Sequence, residues 1–193
     1  MQLKRLLPRL LAAFVAWSAV AYLVLPLYMA GVVPATSVLV DLLPSHGAAV
    51  KLASQHPWVG CTIQKGDSPA AVEQVSSLVL TYNALIYLAL LTAATGLDWR
   101  QRGRMAAFGM PCLFVFHIVD LGLTVQSRVL SIVAGQHYDF RQHFGLWFTV
   151  VKVYSFLSLM ALKQALPLVL FYAQWRRVKE KVLAAGGTGS GPS

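Results

Sequence analysis

The chain has little acid. Asp and Glu number seven against sixteen Lys and Arg, and charged residues make up only 12% of the sequence, about half the ~25% of soluble domains. A chain that poor in charge cannot clothe a soluble surface. There are two cysteines, Cys61 and Cys112. No CxxC pair occurs, which argues against a membrane thiol oxidoreductase. The two are expected at different depths, so no bridge joins them. The basic residues form no face interleaved with stacking aromatics, which argues against a nucleic-acid partner despite a net charge of +9.

What is present is apolar length. Hydrophobic residues make up 57% of the 193, against roughly 45–50% in soluble domains. One domain fits that length. About 20 apolar residues span a bilayer, and four runs qualify. The pattern predicts an all-α fold, a bundle of four transmembrane helices at about 10–32, 76–97, 105–125 and 145–173. The first run is too long for the core of a cleaved signal peptide, so it reads as a retained helix. Residues 33–75 form a small extracytoplasmic lobe. In it, Ala49–Ser54 and Trp58–Gln64 are expected to pair as a short β-hairpin across Gln55-His56-Pro57. Residues 126–144 form a second outer loop with an amphipathic, surface-lying piece. The single membrane domain runs to 182, and 183–193 read as a disordered tail.

Orientation follows from the cations. The N-terminal segment, the 98–104 turn and the tail hold ten Lys and Arg, including Arg100, Arg102, Arg104, Arg176 and Arg177. The two opposite loops hold four: Lys51, Lys65, Arg128 and Arg141. The positive-inside bias puts both termini and the arginine turn in the cytoplasm of a bacterial inner membrane, with the arginines as anchors. Trp99 then lies at the headgroup level. Cys61 falls outside, open to oxidation or to pairing with a partner.

Five polar residues lie within the runs: Asn83, His117, Asp120, Lys152 and Lys163. Ionisable groups in hydrocarbon cost several kcal/mol, of order 3 on insertion scales, so each needs a reason. His117 and Asp120 are three apart and share a helix face. Counted from the expected outer ends of their spans, Asp120 and Lys152 lie at similar depth, which predicts an Asp120–Lys152 pair extended by His117 and Asn83. Such a cluster either locks helices together or forms a polar site open to the outer face. Lys163 is eleven residues after Lys152, on about the same stripe, with no acidic partner in the spans.

No residue is assigned a catalytic role. Cys112 and His117 are five apart, about 140° around a helix, so the imidazole is not placed to activate the thiol. Cys61 with His56 is no better supported. His137 and His143 lack the i, i+4 spacing of a helical metal pair. With His46, His56 and His117 they offer a haem or metal reading, but only His117 falls inside the bundle. No metal site and no cofactor are expected.

Two segments carry a family likeness. LTYNALIYLALLTAATGLDWRQRGRM and LPLVLFYAQWRR resemble the second span, the Trp-Arg turn and the last span's end in the small four-helix membrane proteins associated with exosortases, in particular the exosortase H-associated kind. Exosortases are bacterial membrane enzymes, transpeptidase-like, that process C-terminal sorting signals. Their cysteine is followed by Ser-Gly. Here Cys112 precedes Leu113-Phe114 and Cys61 precedes Thr62-Ile63, so no catalytic residue carries over. The resemblance implies a non-enzymatic accessory protein whose partners are the bilayer and another membrane protein, an exosortase or its substrate. Two other readings stand beside it: a small intramembrane enzyme or carrier using Asn83, His117, Asp120 and Lys152, and a haem- or quinone-linked electron-transfer subunit.

Overall fold

The computed structural model describes residues 3–45, 47–67, 70–136 and 140–187. The elements, in chain order, are α1 (Leu3–Leu42), β1 (Ala48–Gln55), β2 (Trp58–Lys65), β3 (Ala71–Ser76), α2 (Ser77–Ala93), α3 (Trp99–Gln136), α4 (Phe140–Leu157), a five-residue π turn (Ser158–Leu162) and α5 (Lys163–Gly187). The protein is mostly helical. α4, the π turn and α5 form one bent rod, broken near its start by the non-helical backbone of Gly145.

Three stretches are long and apolar enough to cross a membrane: 7–42, 99–133 and 145–180. They turn large side chains outward, among them Leu23, Leu27, Leu146 and Val169. An apolar exterior of this extent is that of a helical membrane protein. α2 is shorter, at 17 residues, about 26 Å at ~1.5 Å per residue and the lower limit for a span. It packs against α1, α3 and α5.

Two helices run past their expected ends. α1 has 40 residues, about 60 Å, and α3 has 38, about 57 Å. Each is nearly twice the ~30 Å hydrocarbon core. The expected boundaries at Val32 and Val125 are therefore corrected. α1 continues to Leu42 because Val33, Thr36 and Val40 have somewhere to be buried. α3 continues to Gln136 because Val129, Leu130 and Val133 do. What they meet is the sheet.

That sheet has three antiparallel strands in the order β1-β2-β3. The hairpin forms where the sequence places it, with Gln55 opposite Trp58 across His56-Pro57. The third strand was not foreseen, and it adds Val75 opposite Val59 and Glu73 opposite Cys61. Two strands alone are marginal in water; a third, with helices beneath, makes an independent unit. The inner face (Ala48, Val59, Cys61 and Ile63) joins one core with Met29 and Val32 of α1 and Leu121, Val125 and Val129 of α3. The lobe is thus sheet plus two helix extensions, not a free loop.

Cys61 is correspondingly buried, 3% exposed. Its thiol is pushed up to about 11, first by burial and then by the negative charge of Glu73. It is neither exposed nor a ready thiolate, which corrects the expectation of an oxidisable outer cysteine.

Polar ties fix the lobe to the bundle. The Ser77 amide and hydroxyl both donate to Pro57 O, at 3.0 and 2.6 Å. Gln126 Nε2 donates to Pro44 O at 2.7 Å. Arg128 meets Glu73 at 3.1 Å, a partly exposed pair that adds little by itself.

The basic turn is also more than an anchor. Asp98 and Gln101 cap α3 reciprocally: Gln101 N donates to Asp98 Oδ1 at 2.6 Å and Asp98 N to Gln101 Oε1 at 3.0 Å. Arg102 folds back over the end of α2. It donates to Leu91 O, Thr92 O and Ala94 O at 2.6 Å and to Leu97 O at 3.3 Å. A cation here meets both the orphan carbonyls and the negative end of the helix dipole. That closure ends α2 at Ala93, four residues before the expected boundary.

Nearby, α3 and α5 close on Tyr87, which is fully buried. Its hydroxyl donates to Met105 O at 2.7 Å and lies 2.8 Å from the Gln174 side-chain amide. Exchanging that amide's O and N lets Gln174 donate to the hydroxyl and gives its buried Nε2 a partner. Gly109 makes room: a Cβ there would stand 2.2 Å from the Tyr87 hydroxyl.

α5 reaches Gly187, into the stretch expected to lack structure, and 188–193 lie outside the described residues. So do residues 137–139 of the polar piece expected in the second loop. The stretch from 126 to 136, expected as loop, is helix.

Replacing Arg102 by Gln strips α2 of its closure and lowers stability by on the order of 2 kcal/mol, since bonds to a charged donor are the stronger kind. Arg102→Lys does not restore it, because one ammonium cannot span carbonyls that a planar fork reaches together. Thermal melting in detergent, followed by helical circular dichroism, measures both.

Candidate functional site: a buried acid at a π turn

α3 carries His117 and Asp120 one turn apart, and neither shows any exposed surface. The structure gives each its own set of partners.

Asp120 faces the bent rod. Ser158 Oγ donates to Oδ1 in a short contact, and Tyr154 OH donates to the same oxygen from 3.4 Å. Lys163 Nζ stands 2.9 Å from Oδ2, close as an ion pair though not aligned as a hydrogen bond. Ser158 and Lys163 are five residues apart, about 140° on an α-helix, so regular geometry would send them to different faces. The π turn removes that obstacle. The Lys163 N–H bonds to Ser158 O, five residues back, which stacks the two side chains above one another. The helix defect is what lets one rod grip both carboxylate oxygens.

This corrects two expectations. Asp120 does not pair with Lys152, and Lys163 is not without an acid. The depth count failed because α3 does not end at Val125. It runs eleven residues further, so Asp120 lies deeper than assumed and level with Lys163. The shared stripe of Lys152 and Lys163 failed because the π turn shifts the register between them. Lys152 instead holds the C-terminal part of α3, donating to Ser127 O at 3.0 Å, Ser127 Oγ at 3.1 Å and Ser131 Oγ at 2.5 Å.

His117 forms the second set. Its Nε2 meets Asn83 Oδ1 at 2.5 Å and its Nδ1 meets the Tyr28 hydroxyl at 2.6 Å. Asn83 joining His117 follows the sequence reading; Tyr28, reaching across from α1, was missed. With Asn83 Oδ1 as the acceptor, the Nε2 N–H donates to it and Nδ1 accepts from the Tyr28 hydroxyl, so both ring nitrogens are engaged. Among the described residues no three His, Cys, Asp or Glu side chains gather as a metal site. His56 rests edge-on against Tyr22, ring centroids 5.1 Å apart. The remaining histidines, His46, His137 and His143, lie outside the residues or side chains described.

Access is restricted. An apolar groove of about 270 Å³ opens between α1 and α2, with Trp17, Val24, Ala84, Leu88 and Met110 in its wall. Tyr28 also lines it and so stands between the groove and His117. Chemically, the arrangement holds helices: Asp120 ties α3 to the bent rod, and His117 ties α3 to α1 and α2. No family model, no curated protein and no solved structure matches the chain.

Asp120→Asn leaves Lys163 buried without a counter-charge and costs about 3–5 kcal/mol, as for breaking one side of a buried pair. The double variant Asp120→Asn, Lys163→Met removes the stranded charge and recovers most of that loss. Comparing the two melting temperatures checks it.

Proposed function

We propose that this chain is a four-span membrane protein with both termini in the cytoplasm, α2 being the fourth crossing. It acts as a non-enzymatic partner of another membrane protein, in an exosortase-type sorting system of a bacterial inner membrane. One observation carries the non-enzymatic part of the reading. Asn83, His117 and Asp120, the groups best suited to chemistry, are wholly buried and already engaged: Asn83 with His117, His117 with Tyr28, and Asp120 with Ser158 and Lys163. Groups that are already tied in this way serve fold specificity more readily than proton transfer to a substrate. The spans, the cation bias and the likeness of the 80–105 and 166–177 segments support the rest.

The test is extraction of tagged protein in mild detergent, followed by identification of what elutes with it. The expected result is a second multi-pass membrane protein in comparable amount, lost from the Asp120→Asn variant because the docking surface depends on the bundle. Elution alone, or cleavage of a sorting signal by the purified chain by itself, overturns the reading. Topology is checked separately: reporters fused after Arg104 and near Lys65 should report opposite sides.

A further inference from the structure

Six cations whose side chains are described gather where α3 begins and along the second half of α5. Tyr87 brings these segments together by touching both Met105 and Gln174. Three of the six are already engaged. Arg102 is spent on the α2 carbonyls. Arg176 pairs with Glu180 at 2.7 Å. Lys179 sits 4.2 Å over the Trp175 ring. The other three, Arg100, Arg104 and Arg177, are exposed and have no ion pair or hydrogen bond among the described residues. The acids at this end offer them nothing: Asp98 caps α3 and Glu180 is taken.

Two further observations point to what meets them. Trp99 and Tyr172 are 86% and 60% exposed, the placement of amphipathic rings at a headgroup layer. A second apolar groove, about 210 Å³, opens between Leu7, Leu10, Leu11 and Phe14 of α1 and Ile86 and Ala89 of α2. It lies near the same end of the bundle, on the turns of α1 that carry Arg9. Trp17, one turn beyond Phe14, bonds Thr92, whose carbonyl takes Arg102, so slot and cations share one end of the molecule; an acidic protein surface has no use for a hydrocarbon slot there. A lipid has use for both.

We infer that this end of the bundle binds anionic phospholipids, their phosphates on Arg100, Arg104 and Arg177 and an acyl chain in the α1–α2 groove. Guanidinium groups suit the task because their planar fork matches a phosphate. The inference rests on the membrane-spanning part of the proposed function and not on its sorting partner.

The test uses the purified full chain in mild detergent, offered phosphatidylglycerol or phosphatidylcholine and examined by native mass spectrometry. Phosphatidylglycerol should be retained on the order of tenfold better at low salt, as expected for several cations near an anionic headgroup. The variant R100Q/R104Q/R177Q should lose that preference, and raised salt should erase it in the natural chain. If the triple variant does not fold, the salt arm decides. Equal retention of the two lipids, a preference that survives salt, or an acidic protein held at this end in place of lipid overturns the inference. Any of these with the topology reporters still on opposite sides sinks the lipid site alone; reporters on the same side sink the spanning reading itself.

Discussion

A carboxylate deep in an apolar bundle is the constraint on which the arrangement turns. Asp120 has no exposed surface, and water cannot offset its charge there. It has to be met within the protein or the fold is not viable. Lys163 meets one oxygen and Ser158 the other. Attraction and desolvation are both large in such a pair, and their near-cancellation makes it a poor source of net stability. Its consequence is specificity. Only one register of the bent rod against α3 pairs both oxygens, so the pair selects that register over its neighbours.

The π turn is the local feature that makes this register available. Five-residue hydrogen bonding is rarer and less regular than the α pattern, and here it occupies Ser158–Leu162, beginning at one residue that grips Asp120 and ending just before the other. The bent rod accepts an irregular turn, and the buried acid gains two partners from one helix. One turn along α3, His117 does the corresponding work for α1 and α2 through Tyr28 and Asn83. Three helical elements are thereby referred to one face of α3. The lobe builds on the same helix, since α3 continues past the length needed to span and lends Val129 and Val133 to the core under the sheet.

Much of this was legible. Hydropathy located the four helical regions, and the turn chemistry of Gln55-His56-Pro57 located the hairpin. The cost of charge in hydrocarbon singled out Asp120, and matching depth brought Asn83 to His117. Helix ends were not legible, because the length needed to span sets the boundaries at Val32 and Val125 until the sheet supplies a surface for both helices to pack on. The strand at Ala71–Ser76 was missed because the lobe was read as irregular chain outside its one hairpin, and six residues of mixed polarity carry no strand signal of their own. The partner of Asp120 was missed for a sharper reason. Counting residues assumes a constant turn, and a single π turn breaks the count without leaving a mark in the composition. Arg102 shows the same limit: an arginine among arginines reads as topology, and only coordinates distinguish the one that closes α2.

Deleting Met160 tests the central point most directly, since it removes one residue from the π turn and returns the rod toward α geometry. The readout is the melting temperature, taken in the natural chain and in the Asp120→Asn, Lys163→Met background. The account predicts a large loss in the first and a small one in the second, the difference being the coupling between turn and ion pair. Equal losses in both backgrounds, or no loss in the natural chain, would contradict it.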